Sequence, residues 1–418
     1  MEVLVYNNLE SLFFAGIDWG KNSHQVCVID NEGSVVEGKS FRHTGTGLFE
    51  MSQWIQKVSG SDSCDMAVAI EVNHGPVVES LCEQGFMVYS VNPKQLDRFR
   101  DRFCVSGAKD DRKDALVLAS ALRTDRRRFR RVEPQNPDVI VLRELTRTRE
   151  ELTRERTRLV NRFRALLWRY YPQFEELLGS TVRPWHLELW ELVPCPGAAK
   201  GKRAQTVNKI LKRNRVRRID AEGALRILRA ERINVSDATV GSCVLYIRSV
   251  VERLKVADRQ LGEIKDSIEK IIETMNEKLK AEGPTDIEIL RSMPGVGTVV
   301  LATLIAEAWS LVGRRDFKAI RCLGGVAPVT RQSGKTKLVV KRRAVCRSLS
   351  AAFHILGGVA VINDPVSRAK YEELRKRGHG YCRSVRTVCD RLLFVARVIL
   401  EKGELFDKEF RKTLPDAA

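Results

Sequence analysis

Residues 13–41 read FFAGIDWGKNSHQVCVIDNEGSVVEGKSF. Two short apolar runs, 13–19 and 24–29, are followed by the turn residues Asp30-Asn31-Glu32-Gly33 and a possible third strand at 34–41. Tight connections of this kind join antiparallel neighbours, so the segment predicts a three-strand meander. Helical spacing comes next, in Leu48, Met51, Ile55 and Val58. Residues 66–72 form a buried-strand run, and 76–84 open a helix on a proline that Gly85 would end. A fifth strand is expected at 86–91, with helical signals from Pro93 and again over 110–122. Three meander strands, then helix, strand, helix, strand, helix, is the order of the ribonuclease H fold. A doubly wound sheet would not normally begin with two tight strand connections.

Beyond this α/β segment the chain reads as helical. Ile247, Val250, Leu254, Ala257, Leu261, Ile264, Ile268, Ile271 and Met275 step by three and four, the spacing of a coiled-coil seam. An earlier helix, about 138–171, carries Leu145, Leu152, Leu159 and Leu166 seven apart. The two can pack on each other as a hairpin or on a second copy of the chain. Between them, 200–218 is strongly basic and reads as a loop or a short helix contacting nucleic acid. From about Asp286 a separate helical domain is expected, with Pro294-Gly295-Val296-Gly297 as a turn between two apolar helical stretches. The expected domains are 1–130, 131–284 and 285–418.

A chain of 418 residues suggests two or three domains. Its 72 Lys+Arg against 53 Asp+Glu leave +19, which points to a polyanionic partner, nucleic acid before a membrane surface. No apolar run reaches the roughly 20 residues of a spanning helix. The first 14 residues hold Glu2 and Glu10 and no basic residue, unlike a signal peptide. The expectation is therefore a cytoplasmic protein without a membrane partner. The ten cysteines include no C-x-x-C pair, and neither H-E-x-x-H nor G-x-x-x-x-G-K-[ST] occurs. Zinc sites, a disulfide frame and a nucleotide-driven motor are thereby disfavoured.

Four acids stand where phosphoryl-transfer chemistry needs them. Asp18 closes the first strand and Glu71 the central apolar strand, and carboxylates at strand ends are where open sheets place their sites. Asp111 and Asp114, three apart on a predicted helix, share a face roughly 5–6 Å apart at Cβ. Two like charges there repel unless a cation intervenes, and Arg112 or Lys113 is one candidate. Two-metal sites instead hold Mg²⁺ or Mn²⁺ between carboxylates from different elements. The run Arg126-Arg127-Arg128-Phe129-Arg130-Arg131 reads as a nucleic-acid track or a solvated face.

The segment Lys109-Asp110-Asp111-Arg112-Lys113-Asp114-Ala115 resembles the K-x-D-x-x-D-A signature of DEDD transposases of the insertion sequence 110 family, with Asp110 where that family usually has a small polar residue. The G-I-D-x-x-K and A-I-E segments match the first two acids of that family, which implies a metal-binding tetrad of Asp18, Glu71, Asp111 and Asp114. Residues 325–335, G-V-A-P-V-T-R-Q-S-G-K, are similar to the family's G-x-A-P-x-x-x-x-S-G block, and Met293-Pro294-Gly295-Val296-Gly297 resembles its P-G-[IV]-G turn. The resemblance implies a RuvC-like nuclease domain, an all-α coiled-coil region and a helical C-terminal transposase domain with a helix-hairpin-helix-like turn. It further implies Ser333 as catalytic nucleophile, double-stranded DNA (element ends and target) as substrate, a noncoding bridge or guide RNA as partner, and a dimer or tetramer. Read from its neighbours alone, Ser333 is a turn serine flanked by Arg331 and Lys335, cations able to hold a phosphate. The expected function is a site-specific recombinase of transposase type. Its rivals are a RuvC-like Holliday-junction nuclease using water and a non-catalytic RNA- or DNA-binding scaffold.

Overall fold

The computed structural model describes residues 13–72, 74–102, 110–132, 136–334 and 336–407. The chain divides into two compact units, Met1–Gln135 and Asn136–Ala418. In the first, strands β1 (Phe13–Trp19), β2 (Ser23–Asp30) and β3 (Val35–Arg42) form the antiparallel meander. Helix α1 (Gly45–Ser59) leads to β4 (Ala67–Ile70), α2 (Pro76–Glu83), β5 (Met87–Ser90), α3 (Pro93–Arg100), α4 (Asp111–Asp125) and β6 (Arg130–Arg131). The sheet order is β3-β2-β1-β4-β5-β6, with β4 and β5 parallel to β1 in register and β6 antiparallel at the edge. This is the ribonuclease H-like order.

The sheet is covered on both faces. Ala15, Ile17, Val68 and Ile70 pack with Met51 and Ile55 of α1 and Leu81 of α2. Phe14, Ala67 and Ala69 pack with Ala115, Leu118 and Leu122 of α4. Successive strand residues therefore alternate between the two cores, as the pleat requires. Gly16 sits where α4 crosses β1. A Cβ there would lie 2.0 Å from the Ala115 carbonyl oxygen and 2.5 Å from the Ala119 nitrogen, so only glycine lets the two backbones touch.

The second unit opens with a 34-residue helix, α5 (Pro137–Tyr170). Short helices follow: α6 (Pro172–Leu178), α7 (Pro184–Leu192), α8 (Pro196–Ala199), α9 (Ala204–Arg213) and α10 (Ala221–Leu228). The 42-residue α11 (Asp237–Lys278) then runs back antiparallel along α5, with Lys278 on Asp138 at 2.6 Å, Arg253 on Glu155 at 3.0 Å and Arg162 over the Tyr246 ring. The apolar stripe of α11 is thus buried against a helix of the same chain. One core, around Phe163, Trp190, Ile247 and Leu254, surrounds one end of this hairpin. A second, around Leu142, Ile268 and Ile272, surrounds the other and continues into the C-terminal helices. Between the two, Leu152 and Leu261 are only half-buried.

The remaining elements are α12 (Asp286–Ser292), α13 (Thr298–Gly313), α14 (Phe317–Leu323), β7 (Val329–Ser333), β8 (Thr336–Val340), α15 (Arg347–Asn363), α16 (Pro365–Lys376) and α17 (Tyr381–Lys402). The C-terminal region is therefore not wholly helical, because β7 and β8 make an antiparallel hairpin across the G-x-A-P block. The turn at Gly295 does join two helices. Gly295 has φ +86°, and a Cβ there would lie 2.6 Å from the Leu356 carbonyl oxygen of α15, so this glycine serves packing within the protein. Within residues 200–218 the chain forms one packed helix, α9, which buries Val207 and Leu211. Among the described residues no single helix is long and apolar enough to cross a membrane.

Two expected outcomes follow from this packing. Ile268, 1% exposed, has no route to solvent for an ammonium, so Ile268→Lys should lower the urea midpoint by the equivalent of ~3 kcal/mol or more, whereas half-buried Leu261→Lys should cost about 1 kcal/mol. His186 is buried, its Nδ1 accepting from the Arg183 amide at 2.7 Å and its Nε2 facing the Leu177 carbonyl at 3.0 Å. Burial, reinforced by Arg218, Arg183 and Arg164, pushes its pKa down to about 4. The unfolded chain then binds the proton first, so stability present above pH ~6.5 is lost as pH falls toward ~4. Thermal melts of wild type and His186→Gln over that range should diverge, the wild type losing more.

Candidate active site

Asp18 follows Ile17, which pairs with Ile70, so Asp18 and Glu71 stand side by side where β1 and β4 leave the sheet. The alternation that sends Phe14 and Gly16, and Ala67 and Ala69, to the α4 face sends both acids there too. Both are half-buried. Helix α4 brings its first turn to the same edge because Ala115 rests on Gly16. Asp110 is its N-cap, accepting from the Arg112 amide at 3.2 Å. Asp111 is the first helical residue and is exposed, whereas Asp114, one turn on, is only 2% exposed.

A carboxylate buried that deeply needs a counter-charge, and Arg100 at the end of α3 provides it. Its Nε donates to Asp114 Oδ1 at 2.5 Å and its Nη2 to Oδ2 at 2.7 Å, and Nη1 reaches Asp97 at 2.6 Å. The hydrogen bond to Asp114 raises the Arg100 pKa, with Asp114, Asp97 and Glu71 adding to the negative field. Among the described residues no three acidic, His or Cys side chains already converge as a metal nest. The acids at this edge are nonetheless hard oxygen donors drawn from two strands and a helix, the donor set that suits Mg²⁺ or Mn²⁺. In this structure the cation at Asp114 is the Arg100 guanidinium itself, seated on both carboxylate oxygens.

Beside the acids lies a cleft of about 370 Å³, lined by Glu71, Ser90, Asn92, Gln95, Arg128 and Arg130 among others. The basic run takes two forms, a single 3-10 turn over Arg126–Arg128 directly after α4 and then a strand. Arg130 and Arg131 form the edge strand β6, opposite Ser90 and Tyr89. Arg126 donates to the Tyr89 hydroxyl at 2.9 Å and lies over its ring, while Arg127 and Arg128 are exposed. Sequence reading missed Arg100, Ser90, Asn92 and Gln95. The Asn92-Pro93 start of α3 was a visible signal, because an N-cap after a strand end places its helix at the same sheet edge.

Ser333 is exposed at the end of β7, just before Gly334 with φ +54° in the hairpin turn. Arg331, two residues back, lies on the same face of the strand, roughly 7 Å away at the strand rise. Lys335, like Lys109, lies outside the described residues.

A sheet in ribonuclease H-like order with acids gathered at the ends of its two central strands defines a class, the carboxylate-bearing nucleic-acid enzymes of that fold. Family comparison narrows it. The transposase model of the DEDD, IS110 type matches residues 15–172, and the model described as transposase of the IS116/IS110/IS902 family matches 287–372. The chain is 50% identical to y4uE of Sinorhizobium fredii over 216 residues, 51% of this chain and 60% of that protein. It is 28% identical to the mini-circle protein for IS117 of Streptomyces coelicolor over 95% of both chains, and 28% identical to the insertion element IS116 protein of Streptomyces clavuligerus over 88% of both. The chain belongs to the IS110 family of transposases.

The Asp114–Arg100 pair sets a test. Asp114→Asn leaves a guanidinium that is 29% exposed and still has Asp97, which should cost about 1–2 kcal/mol. Arg100→Met leaves a buried carboxylate unpaired and should cost more, about 3 kcal/mol. Urea unfolding of both variants checks the order.

Proposed function

We propose that the chain cuts and rejoins DNA as a site-specific recombinase, with Asp18, Glu71, Asp111 and Asp114 as the metal-binding tetrad and Ser333 as nucleophile. The observation that carries this reading is the meeting of Asp18, Glu71 and the first turn of α4 at one sheet edge beside a cleft lined by arginines. Asp110 is engaged as the helix cap, which supports Asp111 as the earlier of the two helical ligands. Mg²⁺ or Mn²⁺ held by the tetrad would supply the charge stabilisation that phosphoryl transfer requires.

The chain's own residues do the rest. Arg128 and Arg130 orient a backbone phosphate in the cleft beside Glu71, and Arg331 holds one on the face that carries Ser333. The Ser333 hydroxyl oxygen attacks phosphorus, an Oγ–P bond forms and a P–O bond of the strand breaks. The proton leaving Ser333 is returned to the departing DNA oxygen. Attack by a second strand's hydroxyl reverses the step, frees Ser333 and leaves the strands exchanged. The tetrad and Ser333 are both required on this reading.

The substrate is double-stranded DNA at element ends and target, and a noncoding bridge RNA guides the choice of site. The working domains are a nuclease domain over 1–130, a helical region over 131–284 and a C-terminal transposase domain over 285–418. Self-association into a dimer or tetramer, coiled-coil in character, uses the half-buried middle of the hairpin around Leu152 and Leu261. Its two ends are already covered within the chain.

The deciding experiment incubates labelled DNA with the full chain, co-purified RNA and Mg²⁺, then resolves products under denaturing conditions. A protein-linked DNA band is expected, lost in Ser333→Ala and reduced at least ~100-fold in Asp18→Asn or Glu71→Gln. Full cleavage by Ser333→Ala without an adduct would transfer the reading to a water-using junction nuclease.

A further inference from the structure

A second cavity, about 460 Å³, lies within the second unit at the base of the Ser333 hairpin. Its wall is built from four parts of the chain. Gly325 and Val326 come from the segment before β7, Lys341 from just after β8, Arg347, Ser350 and His354 from α15, and Arg386 from α17. Three cations from two helices and the segment after β8 thus face one space, and none of the lining residues is acidic.

Arg386 is half-buried. Among the described residues neither it, Lys341 nor Arg347 has an ion-pair partner, although neighbouring arginines do: Arg321 binds Asp390 through two hydrogen bonds at 2.5 and 2.8 Å. A guanidinium withdrawn from water without a counter-charge is a cost that folding alone does not recover. Lys341 and Arg347, exposed residues of the same lining, add two more cations without an ion-pair partner, and three cations around one space with no acid among them are the arrangement of an anion site. Arg347 and Ser350 also stand on the first turn of a 17-residue helix, whose positive end favours the same charge. The volume exceeds that of a bare oxyanion, and Val326 and Val345 add apolar lining suited to a sugar or base edge. This contrasts with the cleft of the first unit, where Glu71 lies among the cations.

We propose that this cavity seats a backbone phosphate of a nucleic-acid strand and sets the register in which that strand runs along the hairpin to Ser333. The proposal rests on the recombinase reading. Val326 and Lys341 flank the hairpin, and Ser333 is at its tip, roughly 13–17 Å away along a five-residue strand. A phosphate fixed at the base therefore places a strand segment a few nucleotides long against Arg331 and Ser333. Phosphate contacts of this kind position a strand without reading its sequence.

Fluorescence anisotropy of the full chain with labelled oligonucleotides, titrated between 50 and 200 mM salt, tests the assignment in parallel DNA and RNA arms. Arg386→Gln should weaken binding about tenfold whatever the sequence and lower the log–log salt slope by about one, with Arg386→Lys recovering most of the loss. Lys341→Gln, at an exposed position, should act in the same direction and decides the matter if Arg386→Gln does not fold. Loss in the DNA arm, the RNA arm or both supports the site and says which strand occupies it. Wild-type affinity and slope in both variants would overturn the phosphate seat and leave the recombinase reading intact. A wild-type chain that binds neither nucleic acid would overturn both.

Discussion

The contact between the backbone of α4 and that of β1 at Gly16 governs the first unit. With the Ala115 carbonyl 2.0 Å from where a Cβ would be, strand and helix have no side chain between them. That closeness presses the start of α4 onto the end of β1 and carries Asp114 into a buried position at the acid-bearing edge. A buried carboxylate demands a cation, and Arg100 meets the demand with two hydrogen bonds. The end of α3 is thereby tied to α4, while its start is held at Asn92-Pro93 directly after β5. One missing side chain thus organises the helix, the acid, its partner and the wall of the neighbouring cleft.

Arg100 also gives the acidic edge a second meaning. The guanidinium occupies a cation's place at Asp114 and lies in the field of Glu71. A folded chain without another cation would otherwise hold several carboxylates near one another, at a repulsive cost. Any ion bound by Asp114 through both oxygens competes with this pair. The edge is accordingly compensated within the fold by Arg100.

The excess of +19 is not spread evenly in its purposes. Arg156 pairs with Asp258 across the helical hairpin, Arg315 with Asp286 and Arg321 with Asp390. Arg218, in the basic stretch read from the sequence as a loop or a short helix contacting nucleic acid, stacks on Trp185 and donates to the Leu177 carbonyl. These arginines hold the fold together.

The strand order of the first unit was legible in the sequence because each strand is a short apolar run bounded by its own turn residues, and the period-2 and period-3.6 patterns are local. The acids at 18 and 71 were legible for the same reason, as polar residues closing buried runs. The resemblance in residues 325–335 marked Ser333 in the same way, by adjacent letters. What only the tertiary structure decided depends on residues far apart in the chain. The stripe of α11 looks the same in sequence whether it meets α5 or a second copy, and the antiparallel run of the two helices, with Lys278 on Asp138, chose the intramolecular partner. The arginines at 130 and 131 became an edge strand because β5 offered an unpaired edge, which no helix or strand propensity announces. Arg100 was one basic residue among many until folding set it on Asp114, 14 positions away. Propensity and periodicity act over one or two turns of chain, whereas charge compensation and cavity walls are set by whichever elements the core brings together.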